Sequence, residues 1–322
     1  MKPRLLGSSG ISVSEIGYGC MGLTWAYGQA VSAPNEAEGI AVLRRAVELG
    51  VTLFDTADMY GPFTNEELVG KALADHREQV IIATKCGIVV EGELTKYNFG
   101  RNGTPAHIRA ACDASLRRLR IEQIDLYQLH RPDPNVPIEE SIGAMAQLVA
   151  AGKVRAIGLS EVDVPTLKRA MTVHPIATLE SEYSLFERNL ESEILPWCLE
   201  HNVALLAYSP LGRGLLTGRL KQSDIAQGDF RATLPRFQGE ALEKNQQIAQ
   251  RVETVAQRIG ATAAQVALAW LLAKYPNVVP IPGTTRRVRL EENVAAANVQ
   301  LDSDAMAELA ALPAPVGSRY AT

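Results

Sequence analysis

Residues 36–55, EAEGIAVLRRAVELGVTLFD, contain one complete helix-to-strand unit. Over residues 36–49 the side chains of Ile40, Leu43 and Val47 recur with neighbouring alanines at helical spacing, and Gly50 supplies a stop. Residues 52–55 then form a short apolar run, fit for a buried strand, that closes on the carboxylate of Asp55. The same alternation extends in both directions. Strand-like runs recur at 15–19, 80–85, 124–130, 154–160, 178–183, 203–210 and 278–282, which with 52–55 make eight. Further amphipathic stretches lie between them at 105–118, 138–151 and 190–201.

Strands too apolar to leave a face in water, alternating with helices, predict a parallel sheet covered by helices. Eight units, with no glycine-rich dinucleotide fingerprint after the first strands, favour an α/β fold closed into a (β/α)8 TIM barrel over an open doubly wound sheet. Residues 4–6 and 11–13, joined by a Gly-Ser-Ser-Gly turn, predict an N-terminal β-hairpin under the barrel floor. No linker or low-complexity tract interrupts the chain, so a single domain spanning 1–322 is expected. Residues 212–243 read as a long loop-like insertion after the seventh strand, of the kind that clamps a ligand.

The 322 residues are 47% hydrophobic and 21% charged, which supplies a large core without a bias towards disorder. A net charge of -4 gives no basic field for nucleic acid or anionic lipid, so small molecules are the expected partners. Neither a secretory signal nor a run of membrane length is present, and a cytoplasmic location is expected. Cys20, Cys86, Cys112 and Cys198 are too scattered for a zinc site or redox dithiol; buried thiols and no metal are expected.

In a (β/α)8 barrel the active site lies at the carboxyl ends of the strands. Asp55, Lys85 and His130 each end a strand-like run, and Tyr60 follows Asp55 after a short turn. Those four residue types suit carbonyl reduction, which needs a proton for the developing alkoxide while hydride arrives at carbon. A phenol with an ordinary pKa of about 10 is a reluctant acid, and a neighbouring ammonium lowers that value. Lys85 is placed to do this for Tyr60, Asp55 to hold the lysine, and a neutral His130 to orient the carbonyl oxygen. Taken singly, each has a plainer explanation as a cap, a loop charge or a structural histidine.

LFDTADMYG at 53–61, IIATK at 81–85 and LYQLHRPDP at 126–134 resemble, in order and separation, the three catalytic segments of the aldo-keto reductases. The resemblance covers nearly the whole chain and extends to IGLSE at 157–161, ESEYSLFER at 180–188, AYSPLGRGLLTG at 207–218 and IPGTTRRVRLEEN at 281–293. The GLSE and IPGTT motifs are similar to those of its bacterial and plant branch. The resemblance implies a barrel enzyme that is an NAD(P)H-dependent oxidoreductase, with Asp55, Tyr60, Lys85 and His130 as the catalytic tetrad and Tyr60 as the proton donor. It further implies that Ser160 and Glu180 bind the cofactor carboxamide and that Tyr208 stacks on the nicotinamide. Ser209, Leu211, Gly212 and Gly214 would wrap the pyrophosphate.

Arg289, within the cluster Arg286, Arg287 and Arg289, would hold the phosphate that distinguishes NADPH from NADH, with Thr284 assisting and Glu292 and Asn293 on the adenine side. NADPH is therefore expected rather than NADH. Trp25, Met59, Tyr27 and Arg131 are candidate walls of a pocket for a small carbonyl substrate. Two positions depart from the commonest pattern of the family: Glu161 where many members carry Asn, and Glu180 where many carry Gln, an amide replaced by a group that accepts only when ionised. A cofactor-sensing subunit similar to potassium-channel β subunits is an alternative, as is a barrel hydrolase or lyase. The oligomeric state, monomer or homo-oligomer, is open at this point.

Overall fold

Eight parallel strands hydrogen-bond side by side, and the first and last of them meet. The computed structural model describes residues 1–25, 36–90, 99–225 and 229–320. An antiparallel hairpin of β1 (Pro3–Leu5) and β2 (Ser12–Ser14) opens the chain. The barrel follows as β3 (Tyr18–Gly19), β4 (Leu53–Asp55) and β5 (Ile81–Cys86). A second antiparallel hairpin, β6 (Ile88–Val90) with β7 (Phe99–Arg101), then interrupts it. The remaining barrel strands are β8 (Ile124–Leu129), β9 (Val154–Ser160), β10 (Thr178–Glu182), β11 (Ala204–Tyr208) and β12 (Val278–Pro280). All eight predicted strands are thus present, several trimmed by one to three residues at an end. The second hairpin was not expected from the sequence.

Closure depends on three glycines. Gly17 donates its amide to Pro280 O (2.9 Å) and Gly19 to Pro282 O (3.4 Å). A Cβ on Gly19 would stand 2.7 Å from Ile281 O, and one on Gly283 would stand 2.6 Å from Gly19 O. Only glycine lets the two backbones approach so closely.

The helices between the strands are α1 (Glu36–Glu48), α2 (Thr64–Leu73), α3 (Pro105–Leu119), α4 (Ile138–Ala150), α5 (Val164–Met171), α6 (Ile194–Glu200), α7 (Gly239–Ile259), α8 (Ala263–Lys274) and α9 (Arg287–Ala295); α10 (Ser303–Ala310) follows the last unit. Several start where a side chain replaces a missing backbone partner: Thr104 accepts from His107 N, Asp163 from Thr166 N, and Thr262 forms a capping box with Gln265. Residues 212–243 are less loop-like than expected. They fold into 3-10 turns at Gly212–Thr217, Gln222–Asp224, Phe230–Thr233 and Pro235–Phe237, and α7 already begins at Gly239. The prediction failed there because single helical turns carry no periodicity to read.

Alternate residues of each strand face opposite sides. Leu53, Ala83, Leu126, Ala156, Leu206 and Val279 fill the barrel interior, and Leu6, Ile11 and Val13 of the N-terminal hairpin close its floor. The intervening Phe54, Ile82, Tyr127, Ile157, Leu179 and Leu205 pack outward under the helices.

Candidate active site

Along six of the barrel strands, an interior-facing position is followed two residues later, on the same face, by a polar side chain. Leu53 is followed in this way by Asp55, Ala83 by Lys85, Leu126 by Gln128 and then His130, Gly158 by Ser160, Thr178 by Glu180, and Leu206 by Tyr208. The apolar plug therefore ends in a polar layer at the carboxyl ends of the strands. Asp55, Lys85, Gln128, His130, Ser160 and Glu180 are all buried.

Lys85 is the centre of this layer and has no solvent exposure. Its Nζ lies 2.5 Å from Asp55 Oδ2, 3.0 Å from Thr56 O, 3.3 Å from Glu180 Oε1 and 3.5 Å from Tyr60 OH. Burial disfavours its charge, but Asp55 and Glu180 more than offset this and the ammonium is held well above its ordinary value. Tyr60 moves in the direction opposite to that expected of it. Burial pushes its phenol up, Lys85 pulls it down, and the charges of Asp55 and Glu180 push it up again, so the net shift is upward. For His130, burial and the neighbouring Lys85 and Arg131 depress the pKa well below 6.5, leaving the imidazole neutral as expected. Its Nδ1 is buried without a hydrogen-bond partner among the described residues, and its ring stands edge-on to Tyr60 with centroids 5.8 Å apart.

Trp25 stacks on Tyr60 from the other side, with centroids 6.4 Å apart, and meets Phe99 edge-on. Met59 is buried in the same apolar group with Ile88 and Val90 of the second hairpin. Tyr27 lies outside the described residues. Arg131 turns back to donate to His130 O (2.6 Å) and Ser160 Oγ (2.8 Å). Asp58, on the turn between Asp55 and Tyr60, is a buried carboxyl pushed up to about 8 by burial and by Glu66.

Beside this centre, Ser209, Gly212, Arg213 and Gly214 adopt positive φ (48°, 56°, 56° and 101°) in the turn after β11. The Gly212 and Gly214 amides bond to Ser209 O (2.9 Å) and Leu211 O (3.0 Å), so these glycines shape a concave turn by their conformation. The turn adjoins the end of β12 and the start of α9, where Arg286, Arg287 and Arg289 are exposed, Thr284 is half-buried and Asn293 is buried. Glu292 is bonded at 3.1 Å to Arg219, which follows the cradle turn. A concave turn with left-handed residues and an adjacent arginine-rich helix start fit a dinucleotide with phosphates.

The carboxyl terminus reaches this site, which the sequence did not reveal. Asn245 of α7 pins the tail by bonding both backbone groups of Val316. Arg319 then pairs with Glu161 Oε2 (2.8 Å) and Glu182 Oε2 (3.0 Å) and donates to Tyr208 OH (2.8 Å). Tyr320 OH lies 3.0 Å from Tyr208 OH, and Arg213 bonds both Glu182 (2.8 Å) and Tyr320 OH (3.2 Å). Glu161, one of the departures from the family pattern, is thus partnered by the tail. Its backbone is left-handed (φ 53°), and its Oε1 accepts from Glu182 N.

A closed parallel barrel thus carries a buried lysine, carboxylate, tyrosine and histidine together at the carboxyl ends of its strands. The sequence profile of the Aldo/keto reductase family matches residues 15–313, and the chain belongs to that family. It is 44% identical to the probable aldo-keto reductase 1 of Glycine max over 310 residues, 96% of this chain and 88% of that protein. Its structure is similar to the glycerol dehydrogenase AKR11B4 from Gluconobacter oxydans (TM-score 0.87, 31% identity, 99% and 98% of the two chains covered). It is also similar to an aldo-keto reductase from Klebsiella pneumoniae solved in complex with NADPH (TM-score 0.75, 28% identity, all of both chains covered).

Proposed function

We propose that the protein is an NADPH-dependent reductase that converts aldehydes and ketones to alcohols, with Tyr60 as proton donor, working as a single barrel domain over residues 1–322. The observation that carries this reading is the buried Lys85 held between Asp55 and the Tyr60 hydroxyl, beside a neutral His130. Bound NADPH supplies the hydride. Tyr60 holds the proton that the alkoxide oxygen needs, Lys85 favours its release by charge, and Asp55 keeps the lysine in place. His130, neutral and with an unpartnered buried nitrogen, orients the carbonyl oxygen.

In this reading Tyr208 lies against the nicotinamide, with Ser160 and Glu180 at the carboxamide. Ser209, Leu211, Gly212 and Gly214 enclose the pyrophosphate. Arg289 with Thr284, Glu292 and Asn293 holds the adenosine end, and the arginine cluster favours NADPH over NADH. Trp25, Met59 and Arg131 line the approach to Tyr60. The four buried free cysteines support a reducing, cytoplasmic setting.

The test is consumption of NADPH by the purified protein with aldehydes and ketones, beside Tyr60→Phe. The variant should lose about 10²- to 10⁴-fold in kcat, the usual worth of a general acid, while quenching of protein fluorescence by NADPH persists. Undiminished turnover in the variant would show that another group supplies the proton.

A further inference from the structure

Lys85 faces more acceptors than it can serve. An ammonium has three hydrogens, and four oxygens surround this one: Asp55 Oδ2, Thr56 O, Glu180 Oε1 and Tyr60 OH. The two shortest contacts, to Asp55 and Thr56, take two hydrogens. The third goes to Tyr60 OH at 3.5 Å, and Glu180 at 3.3 Å is an ion-pair partner outside these three hydrogen bonds. Nor is Glu180 free to swing away, because its Oε2 accepts from Gln128 Nε2 at 2.8 Å, and the same amide approaches Asp55 Oδ1 at 3.4 Å. Gln128 is fixed in turn by Thr178 Oγ1, which donates to its Oε1 at 3.1 Å. Gly158 makes room for that bond, since a Cβ there would stand 2.2 Å from the Thr178 hydroxyl.

Two buried carboxylates flank one buried ammonium, and burial together with Glu180 pushes the Asp55 carboxyl well above its ordinary range. Both Glu180 oxygens are committed inward, to Lys85 and Gln128. We propose that Glu180 is a positioning residue that sets how strongly Lys85 acts on Tyr60: its carboxylate, ion-paired with the ammonium but outside the three hydrogen bonds, offsets the lysine charge that the phenol feels. The inference rests on Tyr60 being the proton donor.

The charged and titratable groups that act on Glu180 are Asp55 and Tyr60 from β4 and its turn, Lys85 from β5 and Arg131 after β8, while Cys20 faces Asp55 and Lys85, and His130 faces Lys85 and Arg131. Asp55 and Glu180 act on the phenol in the same direction, and Lys85 opposes both.

Glu180→Gln keeps the shape and removes the charge. The pH profile of kcat for alcohol oxidation with NADP⁺ reads the phenolate directly, because the rate rises with the deprotonated fraction of Tyr60 even far below its midpoint. The variant's profile should lie about one pH unit lower, the displacement expected for removing one nearby charge. The Kd for NADPH, measured by fluorescence quenching, is followed separately, because Glu180 also stands at the carboxamide of the proposed cofactor site. Glu180→Asp, which retracts the carboxylate but keeps it, should fall between the two and serves if the glutamine variant does not fold. Superimposed profiles would overturn the proposal whatever the Kd, and a weakened Kd beside superimposed profiles would leave Glu180 as a cofactor ligand only. Failure of the proton-donor reading is separable, since it would appear as activity surviving in Tyr60→Phe.

Discussion

Arg319→Ala should destabilise the folded chain in a pH-dependent way, because a tail residue joins two carboxylates of the barrel mouth to Tyr208. Truncation removes the contacts to Glu161 (2.8 Å), Glu182 (3.0 Å) and Tyr208 OH (2.8 Å), together with the packing of the guanidinium on the Tyr320 ring at 5.0 Å. Neither carboxylate is left alone. Glu182 keeps Arg213 at 2.8 Å, and Glu161 keeps the Glu182 amide at 2.9 Å. The roughly 3–5 kcal/mol cost of orphaning a buried charge therefore does not apply. What is lost is a charge-assisted hydrogen bond, about 1.5–3 kcal/mol, and an exposed-edge cation–π contact of about 0.5–1 kcal/mol, so about 2–4 kcal/mol in total.

The sign of the pH dependence follows from Glu161. Burial raises its pKa, but Arg319, the Glu182 amide and Arg131 outweigh burial and hold it below the ordinary glutamate range. A depressed folded pKa stabilises fully above the unfolded value of about 4.3 and is lost as pH falls through the lower folded value. Urea unfolding of the parent and Arg319→Ala should therefore differ most at neutral pH and converge in acid, below about pH 4. Identical midpoints at neutral pH, or a gap that persists unchanged in acid, would refute the assigned role of the tail.

Two further outcomes test the cofactor end and the scaffold. Arg289→Ala should weaken NADPH binding about 10- to 100-fold, the worth of one charge-assisted bond, and leave NADH binding nearly unchanged; equal weakening of both in fluorescence titration would remove Arg289 from the phosphate. Asp125 is buried and tied to Arg155 (2.6 Å), Arg77 (2.8 Å) and the Ile82 amide (2.9 Å). Asp125→Ala should cost about 1–3 kcal/mol in chemical denaturation, mainly by leaving the buried Ile82 amide without its acceptor, since Arg155 is partly exposed and Arg77 keeps Val80 O and Gln123 O. A loss under about 1 kcal/mol would show that water satisfies those donors instead.

Much of the active-site architecture is local and so was readable. Asp55, Lys85 and His130 end strand runs whose apolar period is visible in the chain, and their alternation with Leu53, Ala83 and Leu126 directs them into the barrel mouth. The same two-residue spacing applied to Leu126 would have placed Gln128 in the site as well, which reading only the final residue of each run passed over; Glu180 entered the reading through the family resemblance alone. Trp25 and Met59 do stand beside Tyr60, but that grouping needed the second hairpin, whose two short strands are set apart by an intervening segment.

By itself the sequence determined the count and order of the strands and the succession of Asp55, Tyr60, Lys85 and His130 along the chain, since these depend on apolar runs and chain order. Only the tertiary structure decided how the charges pair. Whether Lys85 is shared by one carboxylate or two, whether burial or the ammonium governs Tyr60, and which cation neutralises Glu161 depend on distances between residues far apart in the chain. Coulomb and desolvation energies act through space, so Arg319 at the end of the chain and Gly158 in the middle of a strand shape the site without any local signal that they do so.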